Sequence, residues 1–148
     1  MATSTVTIEV DRPAEEVFTY VTDAARFVEW QQAVVDGTAD QVGAPKVGDR
    51  FRTVRRVGPM KRSFTSEVVH VDPPSSWRVR GIDGPVRASV DVQVAGLDEG
   101  RSTLTISVTF EGHGLGRLIV PLAVQPGVPK EMARDMAALK QRLEGTPA

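Results

Sequence analysis

The run Phe64-Thr65-Ser66-Glu67-Val68-Val69-His70-Val71 puts a hydroxyl, a carboxylate and an imidazole into a few successive positions of one strand-like segment. Strand side chains alternate between faces, so either Ser66 and His70 or Glu67 turns toward the interior, unless a bulge mixes the two sets. The alternation alone does not decide. An inward Glu67 beside apolar walls would lose hydration, its pKa would rise, and it would serve as a general base for the proton alpha to a ketone. Facing outward, it is a solvated carboxylate. His70 brings an imidazole, which suits either acid–base work or a surface position near a strand end. Tyr20 carries a phenol able to donate to a ligand carbonyl, and Arg80 either supplies positive charge to such a site or extends into solvent.

Other chemistries find less support. The chain has no cysteine, which removes disulfides, thiolate metal ligands and thiol nucleophiles. Its two histidines, His70 and His113, have no clustered carboxylates beside them, so no metal site is expected. No serine has the local features of a nucleophile elbow. Gly112-His113-Gly114-Leu115-Gly116 follows an antiparallel strand pattern and reads as a flexible turn rather than a phosphate loop. Arg50, Arg52, Arg55, Arg56, Lys61 and Arg62 form a basic hairpin with few aromatics, read here as a solvated outer face rather than a phosphate-binding patch.

Eighteen basic residues against nineteen acidic ones leave a net charge of −1, which gives no field to draw the chain to nucleic acid or an anionic membrane. A length of 148 residues fits one domain spanning 1–148, with a core that needs no metal or disulfide. The opening Met-Ala-Thr-Ser-Thr lacks the basic and apolar parts of a secretory signal, and no apolar run approaches the ~20 residues of a membrane span. A cytoplasmic location is the expectation.

The elements that must position these residues follow from periodicity. Val6, Ile8 and Val10 alternate with polar neighbours and predict a strand over Thr3–Val10. Asp11 is a candidate cap for the helix that follows, with Pro13 in its first turn and Val17, Phe18 and Val21 on its apolar face. A second short helix restarts at Asp23 and places Phe27 and Trp30 on one side. Strands are then predicted over Val34–Gln41, Arg50–Val57, Arg62–Val71, Trp77–Ile82, Val86–Val94 and Ser102–Phe110, separated by Gly, Pro and Asp turns too short for parallel pairing. A helix over Pro129–Glu144 carries Met132, Met136, Leu139 and Leu143 in one stripe.

This is an α+β chain, and its seven antiparallel strands with one apolar face must be covered. One helix of ~10–12 Å diameter cannot fill the concavity of a strongly twisted sheet, so an apolar cavity is expected between the two. Trp30, Phe51 and Trp77 are candidates either to stack on a flat ligand or to fill core corners. Met132 and Met136 suit a wall that adapts to varied apolar shapes, or ordinary core packing. Ser66, Val68, Val90, Val92, Ile106 and Val108 are the further candidate lining residues.

The order of elements resembles the SRPBCC, or START-like, superfamily with the helix-grip fold also seen in Bet v 1, and within it the polyketide cyclase/dehydrase family. The resemblance rests on Asp11-Arg12-Pro13-Ala14-Glu15-Glu16-Val17-Phe18, Phe27-Val28-Glu29-Trp30, Val47-Gly48-Asp49-Arg50-Phe51, the Glu67–Pro74 strand end, and Leu139-Lys140-Gln141-Arg142-Leu143-Glu144. It implies a deep cavity for polyketides, lipids, quinones or other hydrophobic molecules, usually with no metal or redox cofactor. Some aromatase/cyclase members carry, on the matching strand, a serine followed two positions later by an arginine that orients the polyketide. Ser66 matches that serine, whereas Val68 stands at the arginine position, and an apolar side chain cannot polarise a developing enolate oxygen.

The expectation is therefore a small-molecule binding protein, monomeric or homodimeric, without cofactor. A cyclase or dehydrase with Glu67, His70, Tyr20 and Arg80 as catalytic candidates is the alternative. A lipid or quinone carrier is a third reading, which requires an apolar rim over Leu115–Val124. The proline-broken segment from Leu115 to Pro129 is expected to be less ordered than the terminal helix and is a candidate gate.

Overall fold

A computed structural model describes residues 2–39, 43–84, 86–112 and 127–145. Its elements in chain order are β1 (Ala2–Val10), α1 (Ala14–Val21), a 3-10 turn (Ala24–Arg26), α2 (Phe27–Trp30), β2 (Val34–Ala39), β3 (Arg50–Val57), β4 (Met60–Asp72), β5 (Ser76–Gly81), β6 (Val86–Asp98), β7 (Arg101–Gly112) and α3 (Gly127–Glu144). All seven strands join one curled sheet in the order β1-β7-β6-β5-β4-β3-β2, antiparallel at every step. The six strands β2 to β7 are a simple meander, and β1 returns to pair with β7. The predicted α+β architecture is present, with α3 starting two residues earlier than Pro129.

Alternation builds the two faces. Directly paired residues share a face, so Val6, Ile8 and Val10 stand beside Ile106, Leu104 and Ser102, while Thr3, Thr5 and Thr7 stand beside Thr109, Ser107 and Thr105. The second set forms a ladder of hydroxyl contacts at 3.0, 2.9 and 3.0 Å on the outer face. The first set joins the buried core with Val92, Val94, Leu104 and Ile106. One face is apolar and the other hydroxyl-rich, so water contact decides which way the sheet curls.

Helices cover the inner face unequally. The segment from α1 to α2 carries the chain from the β1 edge to the β2 edge; α1 lies against β6 and β7, and the 3-10 turn lies against β2 and β3. Asp23 caps that turn through the Ala25 N–H at 3.1 Å. Asp11 does not cap α1: the helix begins at Ala14, so the N-cap position is Pro13, two residues beyond Asp11, and has no side-chain cap; the Asp11 backbone N–H donates to the Glu144 carboxylate at 2.8 Å. Helix α3 runs closest to β1 and α2. Its last turn is clasped to the β1–α1 junction, where Lys140 Nζ donates to the Glu9 carbonyl and, at 2.8 Å, to Glu144, and Ser102 Oγ donates to the Arg12 carbonyl at 3.0 Å. Donation from the Lys140 ammonium and the Asp11 N–H holds the Glu144 carboxyl below the usual carboxylate range. The helix ends at Glu144, and the Gly145 N–H donates to the Gln141 carbonyl at 2.7 Å.

Gly37 on β2 is where the helical crossing presses hardest on the sheet, since a Cβ built there would lie 2.2 Å from the Ala24 carbonyl oxygen. That neighbour is backbone and cannot swing away. Gly37→Ala is expected to lower unfolding stability by about 1–3 kcal/mol, read as a fall in the urea midpoint at unchanged slope; an unchanged midpoint would mean that the turn and β2 are free to separate.

Candidate functional site

The inner face of the sheet is the floor of the site. On β3, Phe51 and Thr53 are buried and pair with Ser66 and Phe64 of β4, so Phe64, Ser66 and Val68 turn inward with them. Glu67 pairs with Arg50 on one side and Arg80 on the other, and so points outward. Beyond Val68 the register shifts by a bulge at Val69, after which His70 pairs with exposed Arg78 while Val71 pairs with buried Trp77. The bulge mixes the two sets. It leaves Ser66 inside and puts Glu67 and His70 together outside.

Three of the four catalytic candidates are thus displaced from the concavity. Glu67, His70 and Arg80 lie on the convex face, where His70 Nε2 is 2.7 Å from Ser76 Oγ. Tyr20 is buried on α1, but its hydroxyl donates to Glu29 at 2.9 Å, under the Arg26 guanidinium that sits 5.7 Å from its ring centre. Burial, with the adjacent carboxylate, pushes its pKa up to about 12. Its proton is committed within the protein rather than offered to a ligand.

The candidate lining residues, by contrast, gather inside. Phe51, Ser66, Val68, Trp77, Val90, Val92, Ile106 and Val108 occupy inward positions of five adjacent strands. Met136 is fully buried on α3, with Met132 one turn before it packed against the same core. Trp30, from α2, meets Phe27 edge-on at 5.9 Å; Phe27 meets Phe51 edge-on at 5.6 Å, and Phe51 stacks on Trp77 at 6.0 Å. This chain of four aromatic rings links the helical crossing to the sheet. The indole N–H groups of Trp30 and Trp77 are enclosed within it, with no acceptor among the described residues.

Coverage of this floor is uneven. Val92, Val94, Leu104 and Ile106 are buried under the helices. At the other end, where β6 begins and β7 ends, the inward Val90, Ala88, Val108 and Phe110 are half-buried, as are Phe64 and Ser66 across the sheet.

Two ionisable groups also face inward, and neither was among the sequence candidates. Arg55 belongs to the inward set Phe51, Thr53, Arg55 and pairs with buried Val34, which corrects its assignment to the solvated basic hairpin. The period of two starting from Phe51 carried that signal. Its Nη2 donates to the Gln31 side-chain oxygen, and burial lowers its pKa against the pull of Glu131 and Asp135. Asp135 lies three residues after Met132 and four before Leu139, inside the apolar stripe of α3, and is 8 % exposed. It accepts the Gln32 backbone N–H at 3.1 Å, and desolvation raises its pKa to about 6. The rim expected over Leu115–Val124 lies outside the described residues, as does that segment's expected role as a gate.

A curled antiparallel sheet gripping a C-terminal helix, with short helices after the first strand, defines the helix-grip class. The family described as polyketide cyclase/dehydrase and lipid transport matches residues 1–144, and the chain belongs to it. Among curated proteins no sequence matches. Solved structures similar to this chain include the Zhui aromatase/cyclase from Streptomyces sp. R1128, at 16% identity and a TM-score of 0.75 over 96% of this chain and 93% of that one. A protein from Thermus thermophilus is similar at 17% identity and a TM-score of 0.75, over 96% and 97% of the two chains. The di-domain ARO/CYC BexL from the BE-7585A biosynthetic pathway matches at 20% identity and a TM-score of 0.69. That match covers 95% of this chain but 46% of BexL, so this chain spans about half its length. At these identities the likeness establishes the shared fold.

Asp135 gives the site a measurable signature. Its carboxyl titrates at about 6 in the fold against the ordinary 3.8, so the folded state binds this proton more tightly than the unfolded chain. The contribution to stability is complete below about pH 4 and is lost as the pH rises through about 6. Asp135→Asn keeps an acceptor for Gln32 and removes the charge. It is expected to raise stability by up to about 3 kcal/mol at about pH 7.5 and to change little at about pH 4. Urea unfolding at both values checks this, and an equal effect at both would detach the residue from the titration.

Proposed function

We propose that this protein binds an apolar, ring-bearing small molecule between the inner sheet face and α3, with shape and burial supplying most of the affinity. The observation that carries the reading is the half-buried apolar patch of Ala88, Val90, Val108 and Phe110 at one end of an inner face that is buried at the other. Each fully covered Val or Phe contributes about 1.5–3 kcal/mol, so a ligand that completes the covering of this patch gains what the protein's own helices leave unused. Membership of a polyketide cyclase/dehydrase and lipid transport family agrees with such a guest.

Placing a large side chain on the patch tests the reading. Val90→Trp is expected to weaken binding of N-phenyl-1-naphthylamine, a neutral fluorescent probe, by about tenfold, equivalent to about 1.4 kcal/mol, with the melting temperature nearly unchanged because the ring enters open space. If the patch is instead packed solid, the same substitution destabilises by about 1–3 kcal/mol and wild-type protein fails to take up the probe. Native mass spectrometry of protein purified from its own host would identify the natural occupant.

A second reading, a cyclase or dehydrase acting on that guest, is favoured by Asp135. An inward carboxyl poised at about 6 can take a proton alpha to a ketone and return it to a leaving hydroxyl, so that aldol closure followed by dehydration loses one water. Ser66 is an inward hydroxyl available to orient a carbonyl. Incubation with a linear poly-β-ketone thioester followed by mass spectrometry decides the matter: formation of the dehydrated ring faster than in buffer, and lost in Asp135→Asn, supports the enzyme, whereas binding without turnover removes it.

A further inference from the structure

Arg55 is a cation on the inner face of β3 with Glu131 and Asp135 near enough to act on its charge but, among the described residues, with no carboxylate in ion-pair contact. Its hydrogen bond goes to the neutral Gln31 side chain. Among those same residues its Nε and Nη1 have neither a partner nor the complete enclosure that seals the two indole nitrogens. Arg55 is half-buried; removing water from a guanidinium costs several kcal/mol unless its donors are met, and two of its nitrogens have no partner among the described residues. By register Arg55 follows Thr53, whose partner Phe64 shares the inner face with the half-buried patch, and Gln31 follows Trp30 directly in the chain. The open donors therefore lie on the face that carries both the patch and the aromatic chain.

Resting on the reading of the concavity as a binding site, we propose that Arg55 anchors the ligand's acidic oxygen, so that the preferred guest is an organic anion: an apolar ring body ending in a carboxylate, enolate or phenolate. A guanidinium meets such a group with paired, parallel N–H donors, and in water-poor surroundings these bonds exceed neutral ones in strength. Gln31 holds one nitrogen and so fixes the direction in which the others point. Glu131 and Asp135 supply negative potential that keeps the guanidinium charged in the empty protein. Asp135 in turn faces Arg55 from β3, Glu131 and Arg134 on its own helix, and the Gln32 N–H. Its protonation removes the carboxylate that opposes an incoming anion, so affinity for anions rises as the pH falls through about 6.

Two fluorescent probes isolate the charge. N-phenyl-1-naphthylamine is neutral, and 1-anilinonaphthalene-8-sulfonate has the same rings with a sulfonate that stays ionised throughout. Titrating both into wild type, Arg55→Met, Arg55→Lys and Asp135→Asn, with thermal unfolding of each, gives the test. The expected result is that Arg55→Met weakens the sulfonate probe by about tenfold or more, the worth of one charge-assisted hydrogen bond at about 1.5–3 kcal/mol. The neutral probe should stay within about twofold, and Arg55→Lys should recover part of the loss. Wild type should bind the sulfonate probe several-fold more tightly at about pH 5 than at about pH 7.5, and Asp135→Asn should show no such change. Equal losses of both probes in Arg55→Met, or none, with the fold intact, would overturn the anchor while leaving the apolar site standing. Failure of both probes to bind wild type would overturn the site itself, and the anchor with it.

Discussion

The structure depends on one asymmetry: a sheet whose inner face is lined by Val, Ile, Leu and aromatic side chains while its outer face carries Thr and Ser ladders. Water tolerates the second face and not the first, so the sheet curls and the helices are drawn to the concave side. Among the described residues, α3 and the short helical crossing cover this face. Val92, Val94, Leu104 and Ile106 are buried there, whereas Ala88, Val90, Val108 and Phe110 at the other end are half-buried.

Within this apolar frame the polar groups sort by cost. Glu67, His70 and Arg80 lie on the outer face, where their charge costs little in desolvation. Tyr20 is buried and satisfies its hydroxyl within the protein. Arg55 and Asp135 remain inside with incomplete partners, and each shows the effect in its titration, the arginine lowered and the aspartate raised.

Much of this was legible from residue order. The alternation in Val86–Val94 and Ser102–Phe110 located β6 and β7 and their inner faces, and the methionine stripe located α3. The face of β4 was not legible, because Val68 and His70 sit two apart on either side of a bulge whose position depends on pairing with Val79 and Arg78. The net charge of the β3–β4 hairpin hides Arg55, whose inward position is carried by the alternation from Phe51. Asp135 is a polar residue within the apolar stripe of α3, and the apolar residues of that stripe carry no sign of it. Asp11 is not the cap because the helix begins at Ala14, two residues later than a cap at Asp11 requires, with Pro13 at the N-cap.

The pairing of β1 with β7 joins residues about a hundred positions apart, Thr3 with Thr109 and Thr7 with Thr105, and the clasp adds Glu9 with Lys140. Contacts so remote in the chain bear the largest loop-closure entropy and form late, after the local meander from β2 to β7 has taken shape. The β1 edge and the end of α3 are thus held by pairings from opposite ends of the chain, so loosening either one frees the flank of the sheet that the other closes.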